Sequence, residues 1–169
     1  MIILKYLLIF LVFLISFLIG NIISKRYILR VKELKDFKNA LNIIESKIKF
    51  TYEPLSEIFM QTSNLLSENI SKIFVKATNY MKELNAQEAW NKAIEEGDTY
   101  LNKDDIENIK SFGKMLGKTD KEGQVSHIEL TKTFIEMQIE KAKVEEEKNS
   151  KMYKTLGTIV GLVFVIILI

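Results

Sequence analysis

The chain has 169 residues, of which 47% are hydrophobic and 27% are charged, and its formal net charge is +2. This charge is too small to favour nucleic acid as a partner, and the sequence lacks the clustered basic and aromatic residues that nucleic-acid binding needs. The absence of cysteine is consistent with a reducing compartment but does not establish one.

Both ends of the sequence are apolar, whereas the residues between them are rich in Lys, Glu and Asn. Residues 6–23 include one Asn and no charged side chain, and residues 153–169 include a single lysine. A membrane helix needs roughly 20 residues, so the first run is about long enough and the second is shorter. We predict an N-terminal transmembrane helix in residues 1–24, a cytoplasmic helical bundle in residues 25–150 and a C-terminal transmembrane helix in residues 151–169.

A cleaved signal peptide is the alternative for the first apolar run. Such a peptide needs small residues around its cleavage site, and Leu18 and Gly20 match that requirement poorly. The helical pattern also continues past Gly20, so we expect this run to remain as a membrane helix.

Basic residues lie on the inner side of both apolar runs. Because Lys and Arg next to a span tend to stay on the cytoplasmic side, both flanks predict a cytoplasmic middle region. The basic residues closest to the membrane are Lys25, Arg26, Arg30, Lys32, Lys151 and Lys154. They either contact anionic lipid head groups, each for about 1 kcal/mol, or only set the orientation and solubility of the chain.

The middle region predicts helices and no strands. Its first helix continues out of the first span and carries an apolar stripe at spacings of three and four. The stripe consists of Val31, Leu34, Phe37, Leu41, Ile44 and Ile48. Proline is well tolerated in a first helical turn, so Pro54 should open a second helix. The apolar contacts of that helix should come from Leu55, Ile58, Phe59, Leu65 and Leu66.

Three more helices follow before the last one. The third should span residues 67–84. Asn85 is a favoured cap for the fourth, with Glu88 three residues on as in a capping box. The fifth should begin within residues 102–104, with carboxylates in its first turn that suit the helix dipole. Gly113 and Gly117 mark its end.

The sixth helix is the longest and should be capped by Thr119 or Asp120. Its 3-4 pattern includes Ile128, Thr131, Phe134 or Ile135, Gln138 and Ala142. Residues 145–151 are almost wholly charged or polar, so we expect a solvated stalk there before the helix enters the second apolar run. The first and last helices should lie side by side and antiparallel, held by burial of their apolar stripes at about 25 cal/mol per Å².

Few residues could carry chemistry. The sequence has no phosphate-binding loop, nucleotide fingerprint or metal-ligand spacing. His127 is the only histidine, and no nucleophile or orienting carboxylate can be named for it, so we interpret it as a structural or surface residue. The acidic run at residues 145–147 is interpreted as a solvated helix face. We therefore predict no catalytic, cofactor-binding or metal-binding residues, no cofactor and no small-molecule substrate.

Charge is distributed unevenly along the middle region. Residues 25–49 contain eight basic and three acidic residues, whereas residues 83–107 contain eight acidic and two basic residues. If the middle helices lie away from the membrane, the domain is acidic at its far end and could dock a basic partner; scattered surface charge is the alternative. The candidate docking residues are Glu95, Glu96, Asp98, Asp104, Asp105 and Trp90. For Trp90 core packing is the simpler interpretation, although aromatic residues are enriched in interfaces.

Gly157 and Gly161 are four residues apart within the second apolar run, a spacing that lets helices approach closely in lipid. Ser16 and Gly20 have the same spacing in the first run. We predict that these four residues pack the two membrane helices together, with an intermolecular contact as the alternative.

Several of these segments together resemble the stage III sporulation protein AB family. The segments are Tyr52 to Glu57, Leu116 to Asp120, the long helix with Ile128 and Leu130, and Tyr153 to Gly157 before a C-terminal span. The resemblance covers essentially the whole chain. The family commonly has Ser at the position of Thr119, which would keep a capping hydroxyl.

The resemblance implies a function. That family is a component of the mother-cell membrane facing the forespore and belongs to a secretion-like sporulation channel. It is similar to the inner-membrane platform protein of type II secretion, whose cytoplasmic domains are six-helix bundles. The resemblance implies that this chain is a non-enzymatic platform or scaffold required for endospore formation. It also implies other channel proteins, a secretion-type ATPase and membrane lipids as partners. An unrelated membrane-anchored signalling or tethering bundle is the alternative.

Overall fold

The computed structural model describes residues 2–168, and their side chains from residue 4 onward. This part of the chain forms six α-helices, one 3-10 turn over Gly113–Met115 and no strand. The helices are α1 Ile2–Phe50, α2 Leu55–Ser63, α3 Glu68–Tyr80, α4 Ala86–Glu95, α5 Lys103–Phe112 and α6 Lys121–Leu168. The predicted all-α class is confirmed.

The chain divides into two compact units. One contains the described parts of Met1–Val31 and Lys141–Ile169, and we call it the hairpin unit. The other, Lys32–Glu140, is the bundle unit. The predicted limits at residues 24 and 150 refer to the membrane boundary, which these units do not define, so they stay a prediction.

The two long helices, α1 with 49 residues and α6 with 48, each join an apolar end of the chain to polar sequence without a break. Both are long and apolar enough to cross a membrane. The two candidate membrane helices are therefore continuous with the first and last helices of the bundle unit.

An aromatic cluster forms the centre of the bundle unit. Each of the helices α1 to α5 contributes one fully buried ring, and the members are Phe37, Phe59, Phe74, Trp90 and Phe112. The Trp90 ring lies 5.1–5.8 Å from each of the other four. Gly113 leaves room for it, because a Cβ there would lie 2.5 Å from Trp90 Cδ1.

The predicted apolar stripe of α1 is buried in full. Leu65 was predicted to be a core residue, but it lies in the turn after α2 and is exposed. On α6 the structure buries Ile135 and leaves Phe134 exposed.

The caps of α4, α5 and α6 are all among the predicted residues. Asn85 and Asn102 accept hydrogen bonds from the backbone N–H groups of Glu88 and Asp105. At the start of α6 the cap is Asp120, whose Oδ1 accepts a hydrogen bond from the Gly123 N–H. Thr119 does not cap, since its buried hydroxyl makes no hydrogen bond.

The predicted solvated stalk is only partly solvated. Residues 145–151 lie in the hairpin unit, where Glu145 accepts a 2.6 Å hydrogen bond from Arg30 and Ser150 bonds to Ser24 at 2.7 Å. The prediction overlooked that polar residues on two antiparallel helices can satisfy one another.

We expect Trp90→Ala to lower the free energy of unfolding by about 3–5 kcal/mol, because it removes the ring that the four phenylalanines contact. Urea denaturation of the full-length protein in detergent, followed by far-UV circular dichroism, measures this loss. Tyr52→Ala is the matched control, and since that ring is 94% exposed its effect should stay within about 0.5 kcal/mol. Equal losses in the two variants would contradict the central role of the cluster.

Candidate functional site

The hairpin unit brings its small residues together at one place. A Cβ on Gly20 would lie 2.6 Å from the Tyr153 carbonyl oxygen and 2.9 Å from Gly157 Cα. The Ser16 hydroxyl donates a 2.9 Å hydrogen bond to the Gly157 carbonyl. Gly161 contacts a phenyl ring instead, because a Cβ there would lie 2.9 Å from Phe13 Cδ2. The small residues of α1 and α6 thus face one another, and the backbones meet at Gly20 and Gly157.

At the polar end of the hairpin unit, three side-chain pairs join α1 to α6. The Tyr27 and Tyr153 rings stack at 5.9 Å, next to the Ser24–Ser150 hydrogen bond. Arg30, which is only 6% exposed, pairs with Glu145. Arg30 is therefore a packing residue and not the lipid contact that its position in the sequence indicated.

The remaining candidate lipid contacts are accessible. Lys25, Arg26, Lys32, Lys151 and Lys154 are exposed. Contact with anionic head groups stays a prediction for them.

We expect the pair Ser24→Cys and Ser150→Cys to form a disulfide readily, because the natural chain has no cysteine and the two hydroxyls are 2.7 Å apart. Adding Gly157→Leu should overpack the helix contact by about 1–3 kcal/mol, which lowers the cross-linked fraction by about tenfold. Non-reducing electrophoresis of membranes measures the cross-linked fraction.

Thr155→Leu is the matched control, because it adds the same side chain at an exposed position of α6. Cross-linking that survives Gly157→Leu as well as it survives Thr155→Leu would show that close approach at Gly157 is not required.

The candidate docking residues separate into an exposed group and a buried group. Glu95, Glu96, Asp98 and Asp104 are exposed and lie along the end of α4, the α4–α5 loop and the start of α5. We call these four residues the acidic surface.

Two candidate docking residues are buried, which corrects their assignment to a surface. Trp90 donates its Nε1 hydrogen to the Ile109 carbonyl at 2.9 Å inside the core. Asp105 is the third residue of a capping box, where its carboxylate accepts from the Asn102 N–H at 2.9 Å. Neither can contact a partner without unfolding of α4 or α5.

The acidic surface is partly neutralised within the chain. Glu95 pairs with Lys110 at 2.7 Å, and Glu96 accepts from the Tyr80 hydroxyl at 2.6 Å. The Tyr80 hydrogen bond is the main cause that lowers the pKa of Glu96. Among residues 4–168 no Lys or Arg nitrogen is recorded within 4 Å of the carboxylates of Asp98 or Asp104, so these two carry the available charge.

The α4–α5 loop is held against the beginning of the bundle unit. Glu33 Oε2 accepts a 2.7 Å hydrogen bond from the Tyr100 N–H, and its Oε1 accepts one of 2.7 Å from the Asn69 amide. Glu33 is the second residue of the bundle unit, whereas α1 ends at Phe50. The loop therefore folds back to the end of the bundle unit where α1 enters it, and docking at the acidic residues stays a prediction.

Glu33 is a buried carboxylate with an altered pKa. Burial is the largest cause and raises its pKa, the Asn69 and Tyr100 hydrogen bonds oppose this, and the charges of Asp36 and Asp98 add to the increase. The folded state therefore holds this proton more tightly than the unfolded chain does.

We expect the free energy of unfolding of the natural protein to rise, relative to Glu33→Gln, as the pH is lowered towards about 4.3, the ordinary pKa of a glutamate. A raised pKa in the folded state gives stability below the unfolded value, and that stability is lost as the pH increases through the folded value. Urea unfolding at a series of pH values, followed by the fluorescence of the single tryptophan, measures the difference.

Asn69→Leu provides a second comparison. It removes an amide that lowers the pKa of Glu33, so the pH dependence should extend to higher pH than in the natural protein. A difference between the natural protein and Glu33→Gln that is the same at every pH would contradict this interpretation.

His127 has a structural contact. Its Nε2 lies 2.9 Å from the Ser111 carbonyl and so joins α6 to α5, while its own carbonyl accepts from Thr131. Within the described chain no three His, Cys, Asp or Glu residues are grouped as metal ligands.

Sequence reasoning missed Arg30 and Glu33 as buried residues. A signal was present, since Arg30 precedes Leu34 by four residues and Glu33 precedes Phe37 by four. Both therefore lie on the apolar stripe of α1.

Known proteins resemble this chain over most of its length. A curated relative, "Stage III sporulation protein AB" of Bacillus subtilis (strain 168), is 29% identical over 153 residues, which cover 88% of this chain and 90% of the relative. A solved structure titled "Stage III sporulation protein AB (SpoIIIAB)" has a TM-score of 0.65 at 24% identity and covers 71% of this chain and 98% of its own, which supports the fold. The family model for stage III sporulation protein AB matches residues 5–169, and the chain belongs to this family.

Proposed function

We propose that this chain is a membrane-anchored, non-enzymatic scaffold subunit of a secretion-like channel between mother cell and forespore. Membership of the stage III sporulation protein AB family supports a role in sporulation. Two candidate membrane helices support a membrane location. In this proposal the bundle lies in the cytoplasm of the mother cell.

The continuity of α1 and α6 is the observation that carries the proposal. Each helix passes from an apolar end into the bundle unit without a break, so the bundle is tied to the membrane at both of its ends in the chain. Such a subunit is suited to hold a cytoplasmic partner at a membrane. A diffusing enzyme does not need this construction.

The non-enzymatic part of the proposal is supported by the roles of the polar core residues. His127, the one residue considered for chemistry, and Trp90, a candidate for docking, use their ring nitrogens to contact backbone carbonyls of α5. Asp105 is used in a helix cap. These contacts explain the presence of all three residues without a substrate.

The acidic surface is the proposed contact for a basic partner, for which the channel's secretion-type ATPase is the candidate. Glu33 holds the α4–α5 loop, so the free carboxylates of Asp98 and Asp104 are presented at a defined position. Charges of this kind increase the rate of encounter more than the final affinity. The loop lies beside Glu33, ten residues after Ile23 in the sequence, so we propose that the partner approaches the membrane-side end of the bundle.

We expect Asp98→Lys with Asp104→Lys to reduce co-purification of the channel ATPase by about tenfold and to lower the spore yield. The charges are reversed at exposed positions, so the fold should be kept. Affinity purification from sporulating cells and spore counts measure the two effects, and circular dichroism checks the fold.

Glu68→Lys with Glu83→Lys is the matched control, because it reverses two exposed charges, one in the first turn of α3 and one in the turn that follows α3. Equal effects of the two double variants would contradict docking at the acidic surface but would leave the scaffold proposal standing.

Glu95→Cys tests the topology, and labelling of that cysteine by an impermeant maleimide from outside intact mother cells would overturn the cytoplasmic location of the bundle. Failure to recover any channel protein with the natural chain would favour a separate tethering role.

A further inference from the structure

Two of the segments that carry the resemblance to the sporulation protein family meet at the end of the bundle unit where α1 stops. The segment Tyr52 to Glu57 follows α1, and Leu116 to Asp120 precedes α6. Lys121 joins them, because its ammonium donates a 3.3 Å hydrogen bond to the Thr51 carbonyl and lies 3.7 Å from the centre of the Tyr52 ring. Neither segment is used by the proposed contact at the acidic surface.

A pocket of about 240 Å³ lies between these segments, and we call it the tip pocket. Its apolar side is formed by Ile48, Leu55 and Ile58, and its other side by Gly117, Lys121 and Gln124. Gly117 has a φ of +69°, a left-handed conformation that glycine adopts without strain, and this turns the chain towards α6. The pocket therefore has an apolar wall and a polar rim.

The backbone beside the tip pocket is extended and available. Residues 51–54 are not helical, and Pro54 has φ −59° and ψ 146°. In the described chain the N–H groups of Tyr52 and Glu53 make no backbone hydrogen bond. An extended chain laid beside this segment could bond to these groups, as peptides do when they pair with an exposed backbone.

Within the described residues, the rim of the tip pocket carries one cation without a carboxylate partner. Glu53 is paired with Lys47 at 3.2 Å. Lys121 contacts a carbonyl and an aromatic ring, and no ion pair of Lys121 occurs in the described residues. The charge left over at the tip pocket is therefore positive and favours an acidic ligand.

The aromatic residues at this end are unusually accessible. Tyr52 is 94% exposed and Phe50 is 81% exposed, although neither lies in an apolar run at a chain end. Aromatic side chains are enriched in the centres of protein interfaces, where a partner removes them from water. Their exposure next to an apolar pocket is explained if a partner covers them.

We propose that the tip pocket binds an extended segment of a partner protein that inserts an apolar side chain between Ile48, Leu55 and Ile58 and pairs a carboxylate with Lys121. Tyr52 covers the inserted side chain. The inference deepens the proposed scaffold role and rests on it for its biological setting. It assigns a second contact, at the Phe50 end of α1, away from the loop that Glu33 holds.

The test uses the full-length protein in nanodiscs and two fluorescent peptides. The acidic probe is Gly-Ser-Leu-Asp-Leu-Glu-Leu-Gly-Ser, and the basic probe has Lys in place of Asp and Glu. We expect the acidic probe to bind about tenfold more tightly than the basic one, as measured by fluorescence anisotropy. Binding of the acidic probe should weaken as salt is added.

Lys121→Glu should reverse the preference between the probes, and Tyr52→Ala should weaken the acidic probe by about tenfold. Lys103→Glu is the matched control for charge, because it lies at the start of α5 near the α4–α5 loop, and it should leave both probes unchanged. Variants that lose helical circular dichroism are replaced by Lys121→Gln, which should remove the preference without reversing it.

Two results would overturn the proposal. Equal binding of both probes would mean that the surface binds peptides regardless of their charge. Binding of neither probe would mean that the pocket does not bind an extended segment of this kind. Because the assay contains no sporulating cells and no ATPase, its failure leaves the scaffold proposal standing. The failure of Asp98→Lys with Asp104→Lys to affect co-purification leaves this proposal standing in turn.

Discussion

The bundle depends on the aromatic cluster around Trp90. Helices α2 to α5 have between 9 and 13 residues, and helices of that length are marginal in water by themselves. Each of them places one ring in the cluster, and α1 adds Phe37. Burial of large rings gives the most free energy per residue that such short elements can obtain. Loss of the cluster would remove the reason for four helices to form.

The two long helices, α1 and α6, form the frame of the bundle unit, by which we mean their buried residues around this cluster. The apolar stripe of α1 is buried, its Phe37 ring lies against the rings of Phe74, Trp90 and Phe112, and α6 adds the buried residues Ile128, Ile135 and Ile139. Some ion pairs between these helices include a buried residue, such as Arg30 or Glu45, and others are half-exposed, such as Lys38 with Glu136. Lys132 bonds to Glu45 at 2.6 Å and, with Lys49, lowers the pKa of Glu45. The pairs at half-exposed positions add little stability, so the frame depends on apolar burial.

Apolar periodicity and caps were sufficient to predict most of the fold. The α1 stripe, the start of α2 after Pro54 and the Asn85 cap are local features, and each follows from spacing or from the chemistry of a single side chain. The position of the α4–α5 loop could not be predicted in this way, because chain order does not tell where a loop folds back. The hydrogen bond that ties this loop to Glu33 was therefore not predicted, although the four exposed residues of the acidic surface were among those named.

The residues whose burial was not predicted share a property. Arg30, Glu33 and Asp105 are charged, and each bonds to a residue in another segment or at a helix end. A charged side chain predicts a surface position, and this is correct for most Lys, Glu, Arg and Asp residues. A buried charge is kept only when specific donors or acceptors face it, and a single sequence does not show which distant residues these are.

These buried charges fix the position of one helix against another, which the aromatic cluster cannot do. Apolar contact is non-directional, so a helix can slide against a ring with a small change in buried area. A buried carboxylate such as Glu33 has two donors at fixed places, Asn69 on α3 and the Tyr100 N–H in the loop. A shift of α1 by one turn would leave that charge without them, and an unpaired buried charge costs several kcal/mol. We infer that the cluster supplies the free energy of the bundle while Glu33 sets its register, so that changes in the cluster alter stability and changes at Glu33 alter where the acidic surface lies.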